Sequence, residues 1–181
     1  MAKVRPPNFE RTLTDEQKAA QQVGYIQQLI PFSQLGLPWN LDAWDGFPAA
    51  RDRLYASAKE AGARLVTLTG DTHTAWANTL LDADSEQRGV EFGCTSVTSP
   101  GLGTYWTDVP DLGAQFAEAN EEVEFYDPDG NGWTLVTLTA DEVRADYRKV
   151  TDVTAETYSA SDVTSYVSRR TEDGMTPLEQ A

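Results

Sequence analysis

The fold of this chain is limited first of all by a series of short β-favouring runs, separated by segments that contain glycine, proline or aspartate. The runs rich in strand-forming residues cover residues 65–69, 90–97, 123–126 and 133–139. Two predicted helices precede them: one at 14–30, which begins at a capping signal at Thr14, and one at 48–62, which carries a single apolar stripe. This order predicts an α/β (mixed α+β) chain whose helices flank a sheet.

Three segments between these elements are less clear-cut. Residues 75–81 are expected to form a short helix, and residues 127–132 are expected to turn a hairpin between two strands. Residues 142–150 alternate apolar and charged side chains, although Thr139 could instead cap a helix there. The alternation favours a strand.

The chain length limits the number of domains. The 181 residues fit one domain, and no repeat or linker divides them. We assign residues 1–152 to this domain. Residues 153–181 form a polar tail rich in Ser, Thr and Glu, which we expect to be loosely ordered.

The charge and the rarity of two residue types exclude several functions. A net charge of −15 repels phosphate backbones and anionic lipids, so we expect no nucleic-acid partner. The sequence has no apolar run long enough for a membrane span, and its first residues lack the apolar segment of a signal peptide. The single cysteine excludes an internal disulfide.

Asp71 and His73, the only histidine, directly follow the apolar run 65–69. In extended backbone, residues two apart point to the same side, so a carboxylate and an imidazole would converge at the end of a strand. Such mixed oxygen and nitrogen ligands suit iron, zinc or manganese better than calcium or magnesium alone. The alternatives are an aspartate that caps a turn and a histidine that only packs.

Three longer motifs give this pair a context. In chain order they are residues 35–51 (LGLPWNLDAWDGFPAAR), 68–76 (LTGDTHTAW) and 90–101 (VEFGCTSVTSPG). Together they resemble signatures of the PhoD-like alkaline phosphatases, and the resemblance extends over about residues 1–152. The chain is thereby identified as similar to the C-terminal part of that family's domain.

The resemblance implies a calcineurin-like metallophosphoesterase fold, in which two packed mixed sheets are flanked by helices. It also implies metal-dependent hydrolysis of phosphate esters, by attack of a metal-bound hydroxide, with iron and calcium or other divalent ions as cofactors. Asp71 and His73 match the family's Gly-Asp-x-His metal ligands. Asp45 would support the site, or would only stabilise its loop.

The sequence also departs from the family. The motifs of the family's first half, which supply most metal ligands, are missing, and Asn120-Glu121-Glu122 replaces an Asn-Pro-His. We therefore expect an incomplete site that needs the missing N-terminal half or a homo-oligomer. The alternative is a non-catalytic remnant or interaction subunit. The family is usually exported, but this chain shows no signal peptide, so its compartment stays open.

Overall fold

The computed structural model describes Trp44 and residues 47–181. The helix predicted at 14–30 and Asp45 lie outside the described residues. In chain order the elements are α1 (Pro48–Glu60), β1 (Leu65–Thr69), β2 (Ala75–Leu81), β3 (Gln87–Gly93), a 3₁₀ helix (Leu102–Tyr105), α2 (Leu112–Ala119), β4 (Val123–Asp127), β5 (Gly132–Leu138), β6 (Glu142–Val150), β7 (Ala160–Arg169) and β8 (Glu179–Gln180). Neither α-helix in this part of the chain has the length and apolarity of a membrane span.

The elements form two four-stranded sheets, which confirms the predicted α/β class. The first has the strand order β1-β3-β2-β4, and the second has the order β5-β6-β7-β8. In the first sheet, β1 runs parallel to β3, and the β2–β3 and β2–β4 pairs are antiparallel. All pairs in the second sheet are antiparallel. The predicted helix at 48–62 and the predicted strand at 142–150 are confirmed.

The main core lies between the two sheets. Its buried apolar side chains come from both: Ala75, Ala77, Val90, Phe92, Val143, Ala145, Tyr147, Tyr166 and Leu178. Two tyrosines of the second sheet also donate hydrogen bonds to carbonyl oxygens of the first, Tyr147 to Trp76 and Tyr166 to Glu124. These bonds fix how one sheet sits on the other.

A second apolar cluster covers the opposite face of the first sheet. Trp76 of β2 packs there against Phe116 of α2 and stacks on Tyr126 of β4, with ring centroids 3.7 Å apart. The first sheet is thus covered on both faces.

The helix expected at 75–81 is wrong, because these residues form strand β2. Alternate residues of β2 face different apolar surroundings: Ala75 and Ala77 face the second sheet, whereas Trp76 faces α2. Burial on both faces removes the alternation of polar and apolar residues by which a strand is recognised in a sequence.

The hairpin expected at 127–132 is also wrong. The segment joins β4 and β5, which belong to different sheets. Asp127 Oδ1 accepts hydrogen bonds from the amides of Asp129 (3.0 Å) and Gly130 (2.9 Å). The turn chemistry was therefore predicted correctly, but the chain leaves one sheet and enters the other.

The loosely ordered tail is the third correction. Residues 160–169 form β7, which pairs with β6, and Leu178 is 5% exposed in the core. Arg64 also binds this region, because its Nε lies 2.8 Å from the carbonyl oxygen of Gly174. Serine and threonine gave the segment a polar composition, but its backbone completes a sheet.

Candidate metal site at the end of strand β1

Asp71 and His73 lie in the turn formed by residues 70–74, which leads from β1 to β2. These two strands are not neighbours, because β3 lies between them. The 70–74 turn therefore passes over the end of β3. This is the sheet edge where the sequence predicted the pair to be.

The backbone of the turn differs from the expectation. Asp71 (φ 72°) and His73 (φ 59°) both adopt left-handed conformations, so the argument from extended backbone is wrong. A non-glycine residue in this region costs about 1–2 kcal/mol, although aspartate tolerates it better than most. Two such residues in one short turn require contacts that hold it in place.

His73 is held by the segment that follows β3. Its Nδ1 lies 3.3 Å from the carbonyl oxygen of Pro100, and its own carbonyl oxygen accepts a 3.1 Å hydrogen bond from Thr95 Oγ1. Gly101 approaches so closely that a Cβ there would lie 2.9 Å from the His73 carbonyl oxygen. Such a Cβ would lie even closer to the Pro128 carbonyl oxygen, so a larger residue at 101 would clash with both the turn and the β4–β5 segment.

The orientation of the imidazole bears on its chemistry. A carbonyl oxygen can only accept, so the contact with Pro100 places the proton of a neutral His73 ring on Nδ1. The lone pair of Nε2 is then available to a ligand. Metal-binding histidines commonly donate their second ring nitrogen to a backbone carbonyl in this way.

The loop of residues 94–101 is itself anchored by the segment between the two sheets. Asn131 Nδ2 donates to Ser96 Oγ (2.9 Å) and to the Ser99 carbonyl oxygen (2.8 Å). Thr95 Oγ1 lies within hydrogen-bond distance of the Gly130 carbonyl oxygen as well as that of His73, so its single hydroxyl hydrogen is shared between the two. Three loops thus meet around His73, and each comes from a different pair of strands.

Threonine hydroxyls fix the end of the turn where β2 begins. Trp76 Nε1 donates to Thr74 Oγ1 at 2.7 Å, and Thr74 Oγ1 donates to Thr72 Oγ1 at 2.9 Å. Trp76 is buried, so this chain links the turn to the cluster under α2.

One buried acidic residue lies beneath the turn and was not predicted from the sequence. Glu91 of β3 is 2% exposed and accepts hydrogen bonds from Thr69 Oγ1 (3.0 Å) and Asn78 Nδ2 (3.2 Å). The pKa of Glu91 is raised to about 7, mainly by burial; the two hydrogen bonds oppose this shift, and the charge of Glu122 adds to it. The available signal was a single charged residue inside the apolar Val90-Glu91-Phe92 run.

Glu122 is also buried. Its Oε1 accepts a 2.9 Å hydrogen bond from the amide of Leu81. Burial is the main cause that raises the pKa of Glu122, whereas this hydrogen bond and the charge of Arg51 lower it. Glu122 therefore binds the end of β2 that is far from the 70–74 turn.

The donors suit a metal in kind but not in number. Asp71 is exposed and His73 is half-buried, so both can be reached from solvent, and they offer one oxygen and one nitrogen donor. Within Trp44 and residues 47–181, no group of three or more His, Cys, Asp or Glu residues could hold a metal ion. Asp45, the third predicted site residue, lies outside this part of the chain.

Comparisons with known proteins identify the family to which the chain belongs. The chain is 33% identical over 143 residues to alkaline phosphatase D of Bacillus subtilis (strain 168), a match that covers 76% of this chain and 24% of that protein. A solved structure described as the structure of PhoD matches with a TM-score of 0.65 and 30% identity, over 79% of this chain and 27% of that one. The chain thus spans about a quarter of the length of these relatives. A family model described as PhoD-like phosphatase matches residues 8–147, so the chain belongs to the PhoD-like phosphatase family.

Proposed function

We propose that this chain takes part in the metal-dependent hydrolysis of phosphate esters and contributes Asp71 and His73 as metal ligands. The observation that carries this proposal is the contact between His73 Nδ1 and the Pro100 carbonyl oxygen, which leaves Nε2 for a metal. Asp71 lies two residues away in the same turn and is exposed. Membership of a phosphatase family supports the reaction class.

The charge of the protein supports a role for a metal in this reaction. A phosphate ester is anionic, and this chain carries a net charge of −15. When bound, iron with calcium, or another divalent ion, would supply the positive charge that offsets this repulsion. The residues around the turn hold the imidazole in one orientation, and we propose that Asp45 supports the same site.

Two ligands leave most of a metal's coordination shell to other groups. We propose that the further ligands come from outside the described residues, either from the part of the family's domain that this chain does not span or from a second copy of the chain. The competing function is a non-catalytic interaction subunit, and the two-donor count is the observation that favours it.

Metal binding and turnover separate the two functions. Because His73 is the only histidine, its ring gives a single set of NMR signals, which Mn²⁺ bound nearby would broaden. The purified chain is titrated with Mn²⁺, and hydrolysis of p-nitrophenyl phosphate is measured with iron and calcium supplied. Asp71→Asn is compared with Asp84→Asn, a matched change of an exposed residue in the turn between β2 and β3.

The proposal expects broadening of the His73 signals in the parent chain and in Asp84→Asn, and loss of that broadening in Asp71→Asn. Turnover by the parent chain and by Asp84→Asn, but not by Asp71→Asn or His73→Ala, is expected where a second copy of the chain completes the site. Signals that stay sharp at saturating Mn²⁺, without turnover, would reject the ligand pair and favour the interaction subunit.

A further inference from the structure

We propose that Glu91 is a positioning residue for the 70–74 turn, because its buried carboxylate ties together the two strand ends between which the turn is held. The consequence of this role for catalysis rests on the proposed function of Asp71 and His73. The role itself follows from the contacts of Glu91 alone.

The sheet order creates the need for such a residue. The turn joins β1 to β2, but β3 separates these strands, so they share no backbone hydrogen bonds. In the register, Glu91 lies opposite Thr67 of β1 on one side and opposite Asn78 of β2 on the other. A side chain on β3 can therefore bind to β1 and to β2 at the same time.

The carboxylate of Glu91 makes this bridge. Its Oε1 accepts from Thr69 Oγ1 at 3.0 Å, and its Oε2 accepts from Asn78 Nδ2 at 3.2 Å. Thr69 is the last residue of β1, immediately before the turn. Asn78 is the fourth residue of β2, shortly after the turn.

The conformation of the turn explains why anchoring matters. Asp71 and His73 both hold left-handed backbone angles, which neither residue prefers in a free chain. Loss of the fixed distance between the two strand ends would let the turn relax and would change the direction in which both side chains project. A buried carboxylate is costly, and its burial here also raises the pKa of Glu91 to about 7.

The test compares two valine substitutions on one strand. Thr69→Val removes the hydroxyl that binds Glu91 and keeps the shape of the side chain. Thr67→Val is the matched control, because Thr67 is buried on the same strand, two residues away, but does not bind Glu91. Glu91→Ala removes the bridge, and Glu91→Gln keeps it, since an amide can accept from Thr69 and donate to a flipped Asn78.

The readout is the NMR signature of the turn at one fixed pH without metal: the ring signals of His73 and the amide signals of residues 70–74. We expect Thr69→Val and Glu91→Ala to shift or broaden these signals, and Thr67→Val and Glu91→Gln to leave them as in the parent chain. A mere loss of packing would affect both valine variants alike. This readout needs no metal, so the positioning role of Glu91 can be confirmed or rejected even if Asp71 and His73 bind no metal.

Two outcomes would overturn the positioning role. One is an unchanged turn signature in folded Thr69→Val. The other is an equal change in Thr67→Val, which would assign the effect to general packing of β1. Because Thr69→Val removes only one hydroxyl, the test stands even where Glu91→Ala fails to fold.

Discussion

Asn78 Nδ2 donates a 3.2 Å hydrogen bond to Glu91 Oε2, and both side chains are 2% exposed. The carboxyl group thus sits in a sheet that is covered on both faces. Burial raises the pKa of Glu91 from its ordinary value of 4.5 to about 7. This shift makes the stability of the protein depend on pH in a defined direction.

Glu91→Gln should be more stable relative to the parent chain at pH 8 than it is at pH 5. Between pH 4.5 and about 7 the folded protein holds a proton on Glu91 that the unfolded chain does not, so this contribution to stability is complete below pH 4.5, decreases as the pH rises and is lost above about 7. Glutamine is neutral throughout and avoids that loss. The difference in unfolding free energy between variant and parent should grow by about 3 kcal/mol from pH 5 to pH 8.

Urea denaturation at the two pH values measures this change. Glu118→Gln, which removes one carboxylate from an exposed position on α2, serves as the control for the loss of a charge. A difference between Glu91→Gln and the parent that is the same at both pH values would contradict the assigned burial of the charge.

His73→Gly should give a more stable protein than His73→Ala, by about 1 kcal/mol. Residue 73 has a φ of 59°, which alanine adopts at a cost and glycine adopts freely. Thermal or urea unfolding of the two variants gives the comparison. Ala56→Gly, at an exposed position within α1, should instead destabilise the protein by about 1 kcal/mol, because glycine weakens a helix. Equal stability of the two residue-73 variants would argue against the left-handed turn.

Tyr147→Phe should destabilise the protein by about 1 kcal/mol. The substitution removes the hydroxyl that bonds to the Trp76 carbonyl oxygen across the interface between the sheets and leaves the ring in the core. Chemical denaturation measures the loss. Tyr158→Phe removes a hydroxyl from a side chain that is 67% exposed, and it should change the stability little. If both variants were equally stable, the bond between the sheets would contribute nothing.

Leu178→Ala should cost about 2–5 kcal/mol, as expected for a buried leucine. Leu178 belongs to the core between the sheets, and its amide donates a 3.2 Å hydrogen bond to Thr79 Oγ1 of β2. Leu138→Ala is the matched control, because Leu138 is 62% exposed. Calorimetric melting of the two variants decides whether the last residues belong to the folded core. A melting temperature of Leu178→Ala equal to that of the control would restore the prediction of a loose tail.

Local signals in the sequence were sufficient for elements with one clear face or one clear boundary. Pro48 in the first turn and Gly62 after the end delimited α1, and the apolar run 65–69 delimited β1. The Gly70–Asp71 break then placed the candidate ligands at a sheet edge. Each of these features depends on residues that are close together in the chain.

Features that depend on distant partners were not predictable from the sequence. Strand β2 looked like a helix because both of its faces are buried, and β7 looked like a loose tail because its polar residues pair through the backbone. The role of Glu91 depends on Thr69 and Asn78, which meet it only when β1 and β2 lie on either side of β3.

Local periodicity and contiguous motifs encode the class of fold, the family resemblance and the position of Asp71 and His73 after a strand, so these properties could be predicted. The left-handed backbone of the turn, the direction of the His73 ring and the burial of Glu91 became visible only in the folded chain. These follow from contacts between residues that are far apart in the chain, and the energy of such contacts exists only once the sheets have formed.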